Sequence, residues 1–126
     1  MASNENEAKI SERAVQIGEE LFGKDRVHRF LDMLENADKD FSQLFKQFAY
    51  AGMYGRTVLD PKARELCSIA GLTVLGRTNQ LGSHIIAAHR MGASRKEIQE
   101  VILQICLYGG FPVAIEGLQV LANQAL

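Results

Sequence analysis

Glycine closes nearly every apolar stretch of this chain, and that punctuation restricts what it can fold into. Residues 8–22 set Ile10, Ala14, Ile17 and Leu21 at helical spacing and stop at Gly23, a residue suited to the left-handed turn beyond a helix end. A second helix over 25–35 carries Val27, Phe30, Leu31 and Leu34 on one face. Asp38 or Asp40 caps a third, whose Phe41, Leu44, Phe45 and Phe48 form an aromatic stripe expected to face the core. Residues 50–59, with Gly52 and Gly55, read as a loop or short helical turn. Asp60-Pro61 then opens a fourth helix over 61–75, with the Asp as N-cap and the Pro at the first helical position. Apolar on most sides, it is expected to be central, and Gly76 stops it. A fifth helix runs over 79–91 to Gly92. Ser94-Arg-Lys-Glu97 is a capping box opening a sixth, and Gly109-Gly110-Phe111-Pro112 turns the chain into a seventh. No strand-like alternation of useful length occurs, so the class is all-α: a bundle of six to seven helices in one domain, 1–126.

Composition narrows the function classes. With 47% hydrophobic and 23% charged residues the chain has ordinary globular composition, which excludes a disordered or polyelectrolyte chain. A net charge of −1 disfavours non-specific binding to nucleic acid or to anionic membranes. The charge is uneven, −4 over residues 1–40 and +3 over 41–126, and the positive part is compatible with a small anionic substrate or a solvated surface. Residues 86–101 have the spacing of a helix-turn-helix, but the would-be reading helix carries Glu97 and Glu100 and then turns apolar, which argues against DNA. The N-terminal residues lack the basic and apolar regions of a signal peptide, and the longest apolar stretch is broken by Gln104, Gly109, Gly110 and Pro112. Cys67 and Cys106 form no CxxC and no tetrahedral metal set, and their apolar neighbours predict buried, reduced thiols in a cytoplasmic protein.

The polar residues that interrupt the apolar helices are where chemistry is sought. Arg77, Gln80 and His84 fall at i, i+3 and i+7, so all three can point to one side of the fifth helix. Flanked by Leu81, Ile85 and Ile86, His84 sits close to packing and is a candidate proton donor or acceptor. Glu65 lies about eleven residues before the turn at Gly76 and His84 about seven after it, so two antiparallel helices bring them near one another with a tilt. His89 is roughly 140° around the helix from His84, which argues against a joint metal site. HExxH spacing, phosphate-binding glycine loops and a nucleophile elbow are all absent.

Taken together, Lys62-Ala-Arg64-Glu65-Leu66, the His84 helix, Met91-Gly92-Ala-Ser94-x-x-Glu97-Ile98-Gln99-Glu100-Val101 and Tyr108-Gly-Gly-Phe-Pro112 resemble the carboxymuconolactone decarboxylase family. The resemblance covers about residues 41–126 and reaches more faintly into the N-terminal helices. It implies an all-α fold of the alkylhydroperoxidase-like type and a ring-shaped homo-oligomer, most often a hexamer. In the thiol-dependent branch of that superfamily a Glu, a CxxC pair and a His form the site; here Glu65 and His84 match, while Arg77 and Gln80 stand at the cysteine positions. Thiol peroxidase chemistry thereby loses its nucleophile. The decarboxylase branch implies Arg56 and Arg77 as holders of the substrate's anionic oxygens, and His84 as proton donor, oriented or tuned by Glu65 and Gln80. Its usual acidic residue four before the histidine is Gln80 in this chain. The resemblance thus implies cofactor-independent decarboxylation of a small lactone acid such as 4-carboxymuconolactone, with no metal. An alkylhydroperoxidase-like oxidoreductase or a non-catalytic member without thiol chemistry is the alternative.

Overall fold

The computed structural model describes residues 2–126, and every element among them is helical. The chain divides into two compact units, the first through Val58 and the second Leu59–Leu126.

In the first unit α1 (Ala2–Phe22) and α2 (Lys24–Ala37) are separated by Gly23 alone, whose φ of 86° lies where only glycine is unstrained. Val27, Leu31 and Leu34 form the buried face of α2 at helical spacing. Asp38 is the cap of α3 (Lys39–Phe45), its carboxylate accepting from the Phe41 N–H at 2.8 Å. The helix does not give way to a loop near Tyr50. It widens into a π-helix, Lys46–Tyr54, and the physical reason is aromatic packing. An i→i+5 turn brings side chains five apart onto one side, and Phe45 and Tyr50 meet edge to face at 4.9 Å between ring centroids. Phe30 meets Phe45 edge to face at 5.3 Å and Phe22 lies tilted against Tyr50 at 6.0 Å, completing an aromatic core.

That choice of inward face also corrects the expected stripe. Phe45 and Tyr50 turn inward with Ser42, whereas Phe41, Leu44 and Phe48 are left 56%, 62% and 73% exposed. A helix this short offers its aromatic residues two faces, and only the one that finds Phe22 and Phe30 is buried.

The second unit is a four-helix arrangement of α4 (Pro61–Val74), α5 (Thr78–Arg90), α6 (Arg95–Gly109) and α7 (Phe111–Ala122), with α4 packed against the other three. Asp60 caps α4 through the Ala63 N–H at 2.8 Å, and both halves of the Ser94–Glu97 capping box form at the start of α6. Ile69, Leu81, Ile85, Ile98 and Ile102 are fully buried at the centre of the core, each contributing about 1.5–3 kcal/mol of transfer free energy. Gly117 lets α7 cross close by: a Cβ there would sit 2.9 Å from Ile102 Cγ2 and 3.2 Å from Thr73 Cγ2. The Arg95 guanidinium donates to the Leu121 and Gln124 carbonyls at 3.1 and 2.7 Å and so holds the end of α7.

The cysteines depart from expectation. Cys67 is exposed and Cys106 half-buried, because the buried stripe of α4 runs through Glu65, Ile69 and Thr73 and turns Cys67 outward.

Candidate active site

The buried stripe of α4 contains its own exception to apolar packing. Glu65, Ile69 and Thr73 are spaced four apart and share one face, so the placement that buries Ile69 carries Glu65 inward with it. The Glu65 side chain is fully buried. A buried carboxylate needs a partner, because losing water without one costs several kcal/mol. It finds one on α5, where Glu65 Oε2 lies 2.8 Å from His84 Nδ1. The second carboxylate oxygen, Oε1, is buried with no hydrogen-bond partner among the described residues. His84 itself is only partly covered, its side chain 18% exposed, and Leu81, Ile85 and Ala88 around it belong to the core. The imidazole is therefore held by a buried acid on one side while it keeps access to solvent.

Arg77 is the N-cap residue of α5, and Gln80 lies in the first turn; both are exposed. With Gly76, Thr78 and Asn79 they line a polar cleft of ≈ 230 Å³. No acidic residue lines it. The positive end of the α5 dipole and the Arg77 guanidinium both favour an anion there. A separate groove of ≈ 400 Å³ between α4 and α6 has an apolar floor of Leu66, Ala70, Val101 and Ile105. Glu97 and Glu100 are its charged residues, so an anion is better received at the Arg77 cleft.

Each candidate thus has its place. Glu65 and His84 are in hydrogen-bond contact, and Arg77 and Gln80 occupy the same helical row as His84, one to two turns toward the N-terminus. Arg56 belongs to the first unit, on the exposed segment that follows the π-helix. His89, beyond the row, is exposed, and its Nδ1 lies 3.1 Å from the Ala93 carbonyl at the end of α5. Among the described residues no group of three or more His, Cys, Asp or Glu side chains is disposed to hold a metal ion. Among the described residues no helix is long and apolar enough to cross a membrane.

The sequence reading missed Lys62. Its ammonium lies 2.7 Å from Glu97 Oε2 and ties the first turn of α4, one turn before Glu65, to the cap of α6. The signal was present in the capping box, whose Glu has a second oxygen to offer. The Lys62 contact holds the Glu97 carboxyl below its ordinary value, and the Ser94 N–H adds to the effect. A carboxyl whose value is lower in the folded chain stabilises the fold at higher pH, and the contribution is lost as pH falls through that lowered value. Lys62→Met is accordingly expected to lower Tm slightly at neutral pH, with the gap to wild type closing in acid. A gap independent of pH would contradict the pairing.

A buried acid that orients a mostly covered imidazole, one turn along α5 from a cationic cleft, is an arrangement suited to general acid–base chemistry on a small anion. The chain belongs to the carboxymuconolactone decarboxylase family, whose model matches residues 39–123. It is 30% identical over 109 residues to the 4-carboxymuconolactone decarboxylase of Acinetobacter baylyi, covering 86% of this chain and 81% of that protein. It is 23% identical over 116 residues to nitrosuccinic acid decarboxylase of Metarhizium robertsii, covering 92% and 81%. An uncharacterized 15.0 kDa protein of Paracoccus denitrificans shares 35% over 69 residues, 53% of this chain and 52% of that protein.

Proposed function

We propose that the chain is a cofactor-independent carboxy-lyase that decarboxylates a small lactone acid such as 4-carboxymuconolactone, working as a cytoplasmic homo-oligomer, a hexamer by the family resemblance. The observation that carries the reading is the 2.8 Å Glu65–His84 pair in a chain whose relatives are named as decarboxylases. The two acids in those names share a chemistry. In each, the electron pair left by departing carbon dioxide flows into an electron-withdrawing group, a lactone carbonyl through its double bond or a nitro group.

The steps balance without a redox partner. The bond from carbon to carboxylate breaks, carbon dioxide leaves, and the pair is held as a dienolate on the lactone oxygen. Arg77 holds the anionic oxygens by charge-assisted hydrogen bonds that strengthen as charge moves onto the lactone. His84 donates its Nε2 proton to carbon, while Glu65 accepts from Nδ1–H and fixes the ring. Gln80, one turn from His84, offers an amide to the same substrate. A proton taken up from solvent returns to Nε2 and readies the ring for the next turnover.

Turnover of 4-carboxymuconolactone by the purified protein, followed by ultraviolet absorbance and confirmed by carbon dioxide release, tests the assignment. Saturable turnover above the spontaneous rate is the expected result, and its absence would refute this substrate. Arg77→Ala is expected to raise KM about tenfold or more, the usual loss for a hydrogen bond to a charged group. An unchanged KM would remove Arg77 from the site.

A further inference from the structure

The groove between α4 and α6 lies on a different face of α4 from Glu65, since Leu66 points about 100° around the helix from it. Two contacts give its register. Lys62 pairs with Glu97 at 2.7 Å, and Val74 Cγ2 lies 3.2 Å from where a Cβ on Gly109 would be. Both pairs have the same separation in sequence, so α4 and α6 run side by side in one direction, with Leu66 level with Val101 and Ala70 level with Ile105. These four residues make two apolar levels, one helical turn or about 6 Å apart, on the floor of the ≈ 400 Å³ groove. The polar rim is one-sided: Glu97, Glu100 and Gln104 all belong to α6, and no cation lines the groove. Glu97 is already satisfied, one oxygen by Lys62 and the other by the Ser94 N–H. Glu100 is exposed and makes no ion pair or side-chain hydrogen bond among the described residues. A carboxylate left unpaired beside an apolar floor attracts a cation more strongly than one surrounded by water.

We propose that this groove binds a long-chain primary aliphatic amine, its ammonium held by Glu100 and its alkyl chain laid along the two apolar levels. Gln104, one turn beyond Glu100 on the same side of α6, offers its amide oxygen as a second acceptor. The rim selects the charge of the ligand, because a fatty acid of the same length would bring its carboxylate against Glu97 and Glu100. The lining also selects a primary amine over a methylated one. No aromatic ring lines the groove, so the cage that receives a quaternary ammonium is missing, whereas an ammonium with three N–H donors can use both the carboxylate and the amide. The length of the floor selects a free amine over a lysine of another protein, since a lysine stem of four methylenes covers about one of the two levels. The proposal does not rest on the decarboxylase reading, which uses the opposite faces of α4 and α5.

Backbone amide chemical shifts of the isotope-labelled full chain, titrated at neutral pH with n-butylamine, n-hexylamine and n-octylamine, test the site. Octylamine is expected to saturate with a Kd on the order of 1 mM, moving the amides of Leu66, Ala70, Val101 and Ile105. Affinity is expected to rise about two- to fourfold with each added methylene. Glu100→Gln, an exposed change that suits a helix, is expected to keep the fold and to weaken octylamine about tenfold through loss of the charge-assisted hydrogen bond. Glu116→Gln makes the same change of charge on α7, away from the groove, and is expected to bind as wild type. Ala70→Leu fills the floor and is expected to remove the gain from hexylamine to octylamine while circular dichroism stays that of wild type. Octanoate is expected to leave the groove amides unmoved, and n-octyltrimethylammonium to bind about tenfold more weakly than octylamine. Affinity that stops rising at butylamine would assign the groove to a lysine side chain and overturn the proposal. So would octanoate or n-octyltrimethylammonium binding as tightly as octylamine, an unchanged Kd in Glu100→Gln, or an equal loss in Glu116→Gln. Groove amides that broaden with protein concentration and do not respond to octylamine would show the face taken by a second copy, and would overturn it too. Each reading is the same whether or not the chain turns over 4-carboxymuconolactone.

Discussion

Alanine at His84 is expected to lower kcat/KM for carbon dioxide release by about 10²–10⁴-fold, the range over which a positioned general acid contributes. The loss should fall on kcat, because the imidazole acts on the carbanion formed during the reaction rather than on the resting substrate. Stability should fall as well, since alanine leaves the buried Glu65 carboxylate without its imidazole partner, so the kinetics are read on protein that keeps the wild-type circular dichroism. His89→Ala is the matched control: its ring faces away from the row of Arg77, Gln80 and His84, beside the Ala93 carbonyl. Steady-state kinetics on both variants decide the matter. Undiminished turnover in His84→Ala would place the proton donor elsewhere.

Glu65→Gln is the second large effect, and it separates positioning from packing. The amide has nearly the size of the carboxyl and can still accept from Nδ1, so the fold is expected to hold, with Tm within a few degrees of wild type. What is lost is the negative charge against the Nδ1–H, and with it the charge-assisted hydrogen bond that fixes the ring. A fall in kcat of about tenfold to a hundredfold with KM nearly unchanged is the expected split, the mark of an interaction made in the transition state. Equal kcat in the variant would reduce Glu65 to a structural residue. Glu65→Ala does not make this distinction, because it opens a cavity and removes the buried partner of His84 at once, costing about 2–4 kcal/mol.

How much could be read from the chain differs by kind of signal. Local stereochemistry was legible: Asp60 caps α4, Ser94 and Glu97 close a capping box, and Gly23, Gly76, Gly92 and Gly110 all take positive φ at helix ends. The Glu65–His84 approach followed from counting residues on either side of one short turn, and the two atoms lie in hydrogen-bond contact. Facing was not legible where tertiary contacts choose between equivalent faces. Phe41, Leu44 and Phe48 have impeccable helical spacing, yet Phe45 and Tyr50 win the interior because Phe22 and Phe30 wait there, and those contacts span distant parts of the sequence. The π-helix escaped notice for a related reason. Glycines at 52 and 55 resemble loop punctuation, and only the aromatic packing reveals the wider turn. Cys67 was misjudged from its sequence neighbours, although in a helix adjacent residues point about 100° apart and say little about one another's burial.

The wide turn of residues 46–54 also determines how the chain tolerates changes in its length. An α-helix advances about 100° per residue, so a segment wound at five residues per hydrogen-bonded step carries the angular offset of surplus chain. Excising a single amino acid there would let the segment relax to ordinary α winding, the tighter turn making up for the lost residue so that the helix beyond keeps nearly its facing while Phe45 and Tyr50 lose their alignment. The same excision elsewhere in a regular helix has no relaxed state to fall into. Comparisons of length variants should therefore find this stretch permissive for the backbone yet unforgiving for the ring of aromatic side chains that the offset aligns.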